Sequence, residues 1–326
     1  MGFIDVMKSK AFAWLQHSQA SLRHRQERQM VMQALVVAKQ NRQLVELADF
    51  SEVEFSATSQ FGEDGVIDWL VSRLPDIPTS FVEFGVEDYR ESNTRLLLQL
   101  RNWRGLVMDG SSAHIRDIQN QDIYWRHGLT AKCAFIDKDN INELLTEEGF
   151  GGQIGLLSVD IDGNDYWVWQ AITVANPAIV VCEYNAVLGD QYALTVPYQA
   201  DFQRNRAHHS NLYFGASLPA LKSLASSKGY TFVGTTSTGC NAFFVRNDMA
   251  TAITSALGGV ACAFPSMVRE ARDAQGRLLF LNGEDRSRQI ADLPFVDLGR
   301  NNELTTLGQL GELYSPEWKA NLKVSG

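Results

Sequence analysis

Several things are scarce in this sequence, and each scarcity narrows what the chain can be. Only four cysteines occur in 326 residues, at Cys133, Cys182, Cys240 and Cys262, with no CxxC pair. Two of them fall in apolar runs, so they read as reduced core thiols and fit a cytoplasmic compartment. Basic residues are outnumbered: 29 Lys and Arg face 38 Asp and Glu, a net charge of −9. That field repels nucleic-acid backbones and anionic lipid alike, and no nucleic-acid partner is expected. No run approaches the roughly 18 to 20 consecutive apolar residues of a membrane span. The opening MGFIDVMKSK lacks the apolar block and cleavage site of a signal peptide. A GxGxxG dinucleotide fingerprint is also missing, which argues against NAD or FAD.

What is present is ordinary soluble composition, 45% hydrophobic and 21% charged, enough for one large core with extensions. Between Ala11 and Ala48 there is no Gly or Pro, and Leu15, Leu22, Met30, Ala34, Val37, Leu44 and Leu47 recur at helical intervals. Residues 1–55 therefore read as a helical extension with a basic face that includes Arg23, Arg28 and Arg42. It covers the core or pairs with a second subunit, so a homo-oligomer is expected. From Phe81 to Asn247 short apolar runs alternate with helical stretches, the α/β signature, and seven strands are counted. Only residues 236–240 separate the last two, too few for a crossover helix, so these form an antiparallel hairpin. The expected fold is a three-layer Rossmann-like sandwich over residues 56–248, with a mostly parallel seven-stranded sheet and an antiparallel last strand. Residues 249–326 read as a tail packed on the core or on a partner subunit.

In such a sheet ligands bind beyond the carboxyl ends of the strands, so the polar residues there are the candidates. The first strand ends at Gly85, where the backbone can approach a ligand, with Glu83 and Asp88 as acceptors. The second ends at Asp109, 24 residues on, the separation expected of an acid that grips ribose hydroxyls. The fourth and fifth strands end in Asp160 and Glu183 with Asn185. Converging carboxylates need a counter-charge, and hard oxygen ligands suit Mg²⁺. Residues 186–217 form a long aromatic-rich loop, expected to close the site; within it His208 and His209 offer a neutral-pH base, one of them at most pointing inward.

Taken together, Ser59–Val66, Phe81–Thr94, Trp103–Gly110, Leu156–Asp165 and Glu183–Asn185 resemble the class I S-adenosylmethionine-dependent methyltransferases, and within them the FkbM-type group. The likeness covers about residues 56 to 247. It implies methyl transfer to an oxygen of a sugar or another small polyhydroxy acceptor. It also implies that Glu83, Gly85, Asp88, Asn93 and Asp160 border the cofactor, that Asp109 holds its ribose, and that Phe135, Ile136 and Asp137 lie near its adenine. By the same likeness Asp160, Glu183 and Asn185 hold Mg²⁺ and a histidine of the loop collects the proton. Glu87 and Tyr89 stand where relatives commonly have glycine, and side chains there are expected to crowd the methionine part. Rival readings are an NAD-dependent oxidoreductase and a non-catalytic scaffold that keeps the fold.

Overall fold

The computed structural model describes residue 22 and residues 25–324; Leu15 and Arg23 of the expected N-terminal helix lie outside the described residues. Helix α1 spans 25–41 and buries Ala34 and Ala38, and Arg42 just beyond it ion-pairs with the buried Asp68 at 2.7 Å. Over residues 25–55 the extension therefore lies on its own core. After α2 (Glu63–Arg73) come β1 (Ser80–Phe84), α3 (Arg95–Arg101), β2 (Arg104–Asp109), α4 (Ser112–Gln119), α5 (Asp122–Arg126) and β3 (Leu129–Cys133). The chain continues through α6 (Ile141–Glu147), β4 (Gly152–Val159), α7 (Asp165–Ala171), β5 (Ala175–Glu183), β6 (Leu194–Thr195) and α8 (Arg204–Ala207). It ends through α9 (Leu218–Ser227), β7 (Tyr230–Thr235), β8 (Asn241–Arg246), α10 (Ala250–Ala256), α11 (Gly283–Arg288), β9 (Pro294–Asp297), β10 (Glu303–Thr306) and α12 (Pro316–Val324).

The main sheet has seven strands in the order β3-β2-β1-β4-β5-β8-β7. All neighbours are parallel except β8, which runs antiparallel to both β5 and β7. This is a Rossmann-like mixed sheet with an antiparallel last strand. That strand is not an edge, because the tight hairpin after β7 folds it back into the space beside β5. Alternation along each strand sends side chains to two faces. Phe81 and Val107 enter one apolar layer, while Val82, Phe84, Leu106 and Met108 enter the other. Strand order reverses between β1 and β4, and this switch point positions the site.

Two features go beyond the sequence reading. Between β2 and β3 lie α4 and α5, a stretch so polar that few apolar side chains mark it, Ile115, Ile118 and Ile123 being the buried ones. The long loop and the tail also meet: β6 pairs with β9, and β9 with β10, in a second, three-stranded sheet. The tail therefore packs on the same chain. Among the described residues no helix is long and apolar enough to cross a membrane.

Candidate functional site

A cleft of about 600 Å³ opens over the carboxyl ends of β1, β2, β4 and β5. Its floor depends on Gly85, whose φ of +69° is left-handed and whose missing Cβ would lie 1.8 Å from the Asp160 carbonyl oxygen. Only glycine gives this turn without pushing β1 and β4 apart. One residue pair earlier, Glu83 is buried and accepts from the backbone N–H groups of Asn93 (2.8 Å) and Thr94 (3.1 Å) and the hydroxyls of Ser92 (2.7 Å) and Thr94 (2.5 Å). Burial raises its pKa and these donors pull against that rise. Glu83 thus braces the loop into α3. Asn93, on the cleft wall, is held by its side-chain amide on Ser158 Oγ at 3.1 Å.

Asp109 forms the opposite lip. Its carboxylate accepts from the backbone N–H groups of Glu87 (2.9 Å) and Ser111 (2.7 Å) and meets His114 Nδ1 at 3.0 Å. The loop after Gly85 is thereby tied to the end of β2. Phe135 and Ile136 also line the cleft beside Gly110. Phe135 is 48% exposed, an unusual state for a phenyl ring and a flat apolar surface for a planar ligand.

Other expected residues lie elsewhere. Asp88 is off the cleft wall and pairs with Arg90. Asp137 is off it too, capping the turn into α6 by accepting from the N–H groups of Asp139 and Asn140, both at 2.8 Å. The rings of His208 and His209 lie 4.1 Å apart, tilted by 44°, and do not reach the wall; His208 Nδ1 is engaged with Ser210 Oγ at 2.7 Å. Burial and its neighbour lower the His208 pKa. The expected histidine base is corrected accordingly: this short helical segment turns Arg204 inward, and the pair outward. Tyr89 is likewise no obstruction. Its ring is fully buried in the core with its hydroxyl 3.0 Å from Thr94 Oγ1, although it and Glu87 do adopt positive φ values of 62° and 47°. These are conformations in which glycine is the easier residue.

The carboxylate group assembles only in part as expected. One oxygen from each of Asp160, Asp165 and Glu183 lies within 4.8 Å of the others. Burial, then neighbouring acids, pushes Asp160 and Glu183 well above the usual carboxylate range, and Asp165 up to about 6. Asp165 gives its two oxygens to the N–H groups of Ile161 (2.8 Å) and Gly163 (2.9 Å), so it shapes the turn after β4. Asn185 is buried and committed: its amide donates to the carbonyls of Leu212 and Phe214, and its oxygen accepts from Val187 N–H. It cannot serve as the expected ligand. Arg204 stands over the group instead, 2.7 Å from Asp162 and 4.0 Å from Glu183. A donor set with Asn185 withdrawn and a guanidinium already beside Glu183 does not fit Mg²⁺.

Arg204 and His114 escaped the sequence reading. The signal for His114 was its place five residues after Asp109, one turn into a helix capped by Ser111. Arg204 had no local signal beyond its arginine-rich surroundings.

Comparison with family models and with curated proteins gives no match. Among solved structures the chain is similar to the N-terminal domain of EvdMO1 with SAH bound, at 10% identity and a TM-score of 0.39 over 61% of this chain and 84% of that one. It is also similar to an S-adenosylmethionine-dependent methyltransferase from Clostridium acetobutylicum, at 8% identity and a TM-score of 0.36 over 56% and 90% of the two chains. The citrinin polyketide synthase CMeT domain gives 13% and 0.37 over 57% and 52%. One of these neighbours is a methyltransferase by name and another holds SAH, and likeness at this level concerns the fold alone.

Proposed function

We propose that the chain is an S-adenosylmethionine-dependent methyltransferase of the FkbM type, acting in the cytoplasm on a hydroxyl of a sugar or another small polyhydroxy molecule. The observation that carries this reading is the tie between the Gly85 loop and Asp109 at the switch point of the sheet, through Glu87 N–H. It leaves backbone and one carboxylate facing a space suited to a nucleoside. When bound, S-adenosylmethionine supplies a methyl group already activated on a sulfonium, so alignment and exclusion of water do most of the remaining work. Asp109 would accept from the ribose hydroxyls, Phe135 and Ile136 would cover the adenine, and Asn93 with the Gly85 backbone would border the amino-acid end. Asp160 and Glu183, both on the cleft wall, would face the acceptor, and Glu183 in its ionised form would take the hydroxyl proton.

The test is thermal stability with S-adenosylhomocysteine set against NAD. A ligand at a hundred times its Kd adds about 2.7 kcal/mol. Stabilisation by S-adenosylhomocysteine alone is expected; stabilisation by NAD instead carries the oxidoreductase reading, and by neither, the scaffold reading.

Self-association through the helical extension is the second part of the proposal, supported by Met32, Val36 and Val45, which are exposed on it and just after it. Met32→Glu combined with Val45→Glu is expected to lower the mass seen by light scattering, and an unchanged mass would leave the extension as a cover for its own core.

A further inference from the structure

Asp160 and Glu183 end adjacent parallel strands, and their oxygens come within 4.8 Å of each other with Asp165 alongside. Two carboxylates so close in a partly buried cleft repel each other unless one holds a proton or a positive charge stands between or beside them. One is supplied from α8. Arg204 Nη1 lies 2.7 Å from Asp162 Oδ1 and 4.0 Å from Glu183 Oε1, and Nη2 lies 3.9 Å from Glu270 Oε2. Its Nε donates to the Asn211 carbonyl at 2.8 Å, and its plane rests on the Phe214 ring at 3.8 Å. Burial pulls the guanidinium pKa down, and Glu183, Asp162 and Glu270 more than reverse that. The fork is held by two close hydrogen bonds, to Asp162 and to the Asn211 carbonyl, and by one ring face, with Glu183 and Glu270 at the outer limit of an ion pair. Four separate parts of the chain meet on it: the turn after β4, the end of β5, the long loop, and the tail.

We propose that the Arg204 guanidinium is the built-in cation of this site, set beside Glu183 and Asp162 where a divalent ion would otherwise sit. It is a positioning residue. By setting its positive charge beside Glu183, it lets the Asp160 and Glu183 pair orient an acceptor hydroxyl without a metal. What the carboxylates do to the acceptor rests on the methyl-transfer reading; the occupation of the cation position does not.

The experiment titrates Mn²⁺ into the full chain and follows free Mn²⁺ by electron paramagnetic resonance, for wild type, Arg204→Gln and Arg204→Lys. S-adenosylhomocysteine affinity is measured on the same samples. Wild type and the lysine variant are expected to leave Mn²⁺ free, while the glutamine variant binds one equivalent at least about tenfold more tightly. Wild type binding Mn²⁺ as tightly as the glutamine variant would overturn the proposal, because ion and guanidinium would then coexist. A folded glutamine variant that binds none would also overturn it, because the carboxylates would then need no cation. If that variant does not fold, wild-type and lysine-variant occupancy decide: both free of Mn²⁺ supports the proposal, either one loaded defeats it. Failure of S-adenosylhomocysteine to bind wild type would strike the methyl-transfer reading and leave the Mn²⁺ outcome standing.

Discussion

Gly85→Ala is expected to destroy ligand binding in the cleft and to lower stability by about 3 kcal/mol. Two costs combine. A non-glycine residue in the left-handed region costs roughly 1 to 2 kcal/mol, and φ at this position is +69°. Forcing an extra carbon into a packed site costs typically about 1 to 3 kcal/mol, and here that carbon would meet the Asp160 carbonyl oxygen at 1.8 Å. The obstacle is backbone, pinned by the pairing of Phe81, Val82 and Glu83 with Leu156, Leu157 and Ser158. It cannot rotate away as a side chain could. Relief requires β1 to part from β4, which moves the loop that Asp109 holds. Urea denaturation reads the stability and calorimetry with S-adenosylhomocysteine reads the binding. A variant with wild-type affinity would show that the ligand sits elsewhere.

Asp109→Ala is expected to weaken S-adenosylhomocysteine by about 100-fold or more, with a much smaller effect on folding. A hydrogen bond to a charged group contributes about 1.5 to 3 kcal/mol, and a carboxylate facing two ribose hydroxyls makes two of them. The same carboxylate anchors the Glu87 and Ser111 N–H groups, so its loss also loosens the loop. Folding is less affected because Asp109 is at a strand end and Ser111 still caps α4 through its own side chain. Asp109→Asn separates the two effects, since it keeps an acceptor and the shape while removing the charge. Unchanged affinity in Asp109→Ala would end the ribose assignment.

Much of the sheet could be read from the chain because its signals are short-range. A near-continuous apolar run such as Phe81, Val82 and Phe84 marks a strand buried on both faces, and a five-residue gap between the last two strands permits only a hairpin. The polar helices between β2 and β3 gave no such signal, since Ile115 and Ile118 are too few to set a period. Within the site, the same distinction separates Gly85 and Asp109 from the histidines. A turn glycine and an acid at a strand end announce themselves by position. Whether His208 or Arg204 faces the cleft depends on how a four-residue helix is seated by Asn211 and Phe214.

The order of residues alone therefore determined the layered α/β architecture, the turn at Gly85 and the acid that closes over it, because backbone freedom and strand alternation act between neighbours. Only the folded chain decided that Asn185 spends its amide on the backbone, that Tyr89 turns into the core, and that Arg204 meets Asp162, Glu183 and Glu270. Those outcomes hang on partners distant along the chain. Charge pairing and hydrogen-bond satisfaction are settled by which groups arrive together in a space with little water, and that is fixed by packing rather than by spacing.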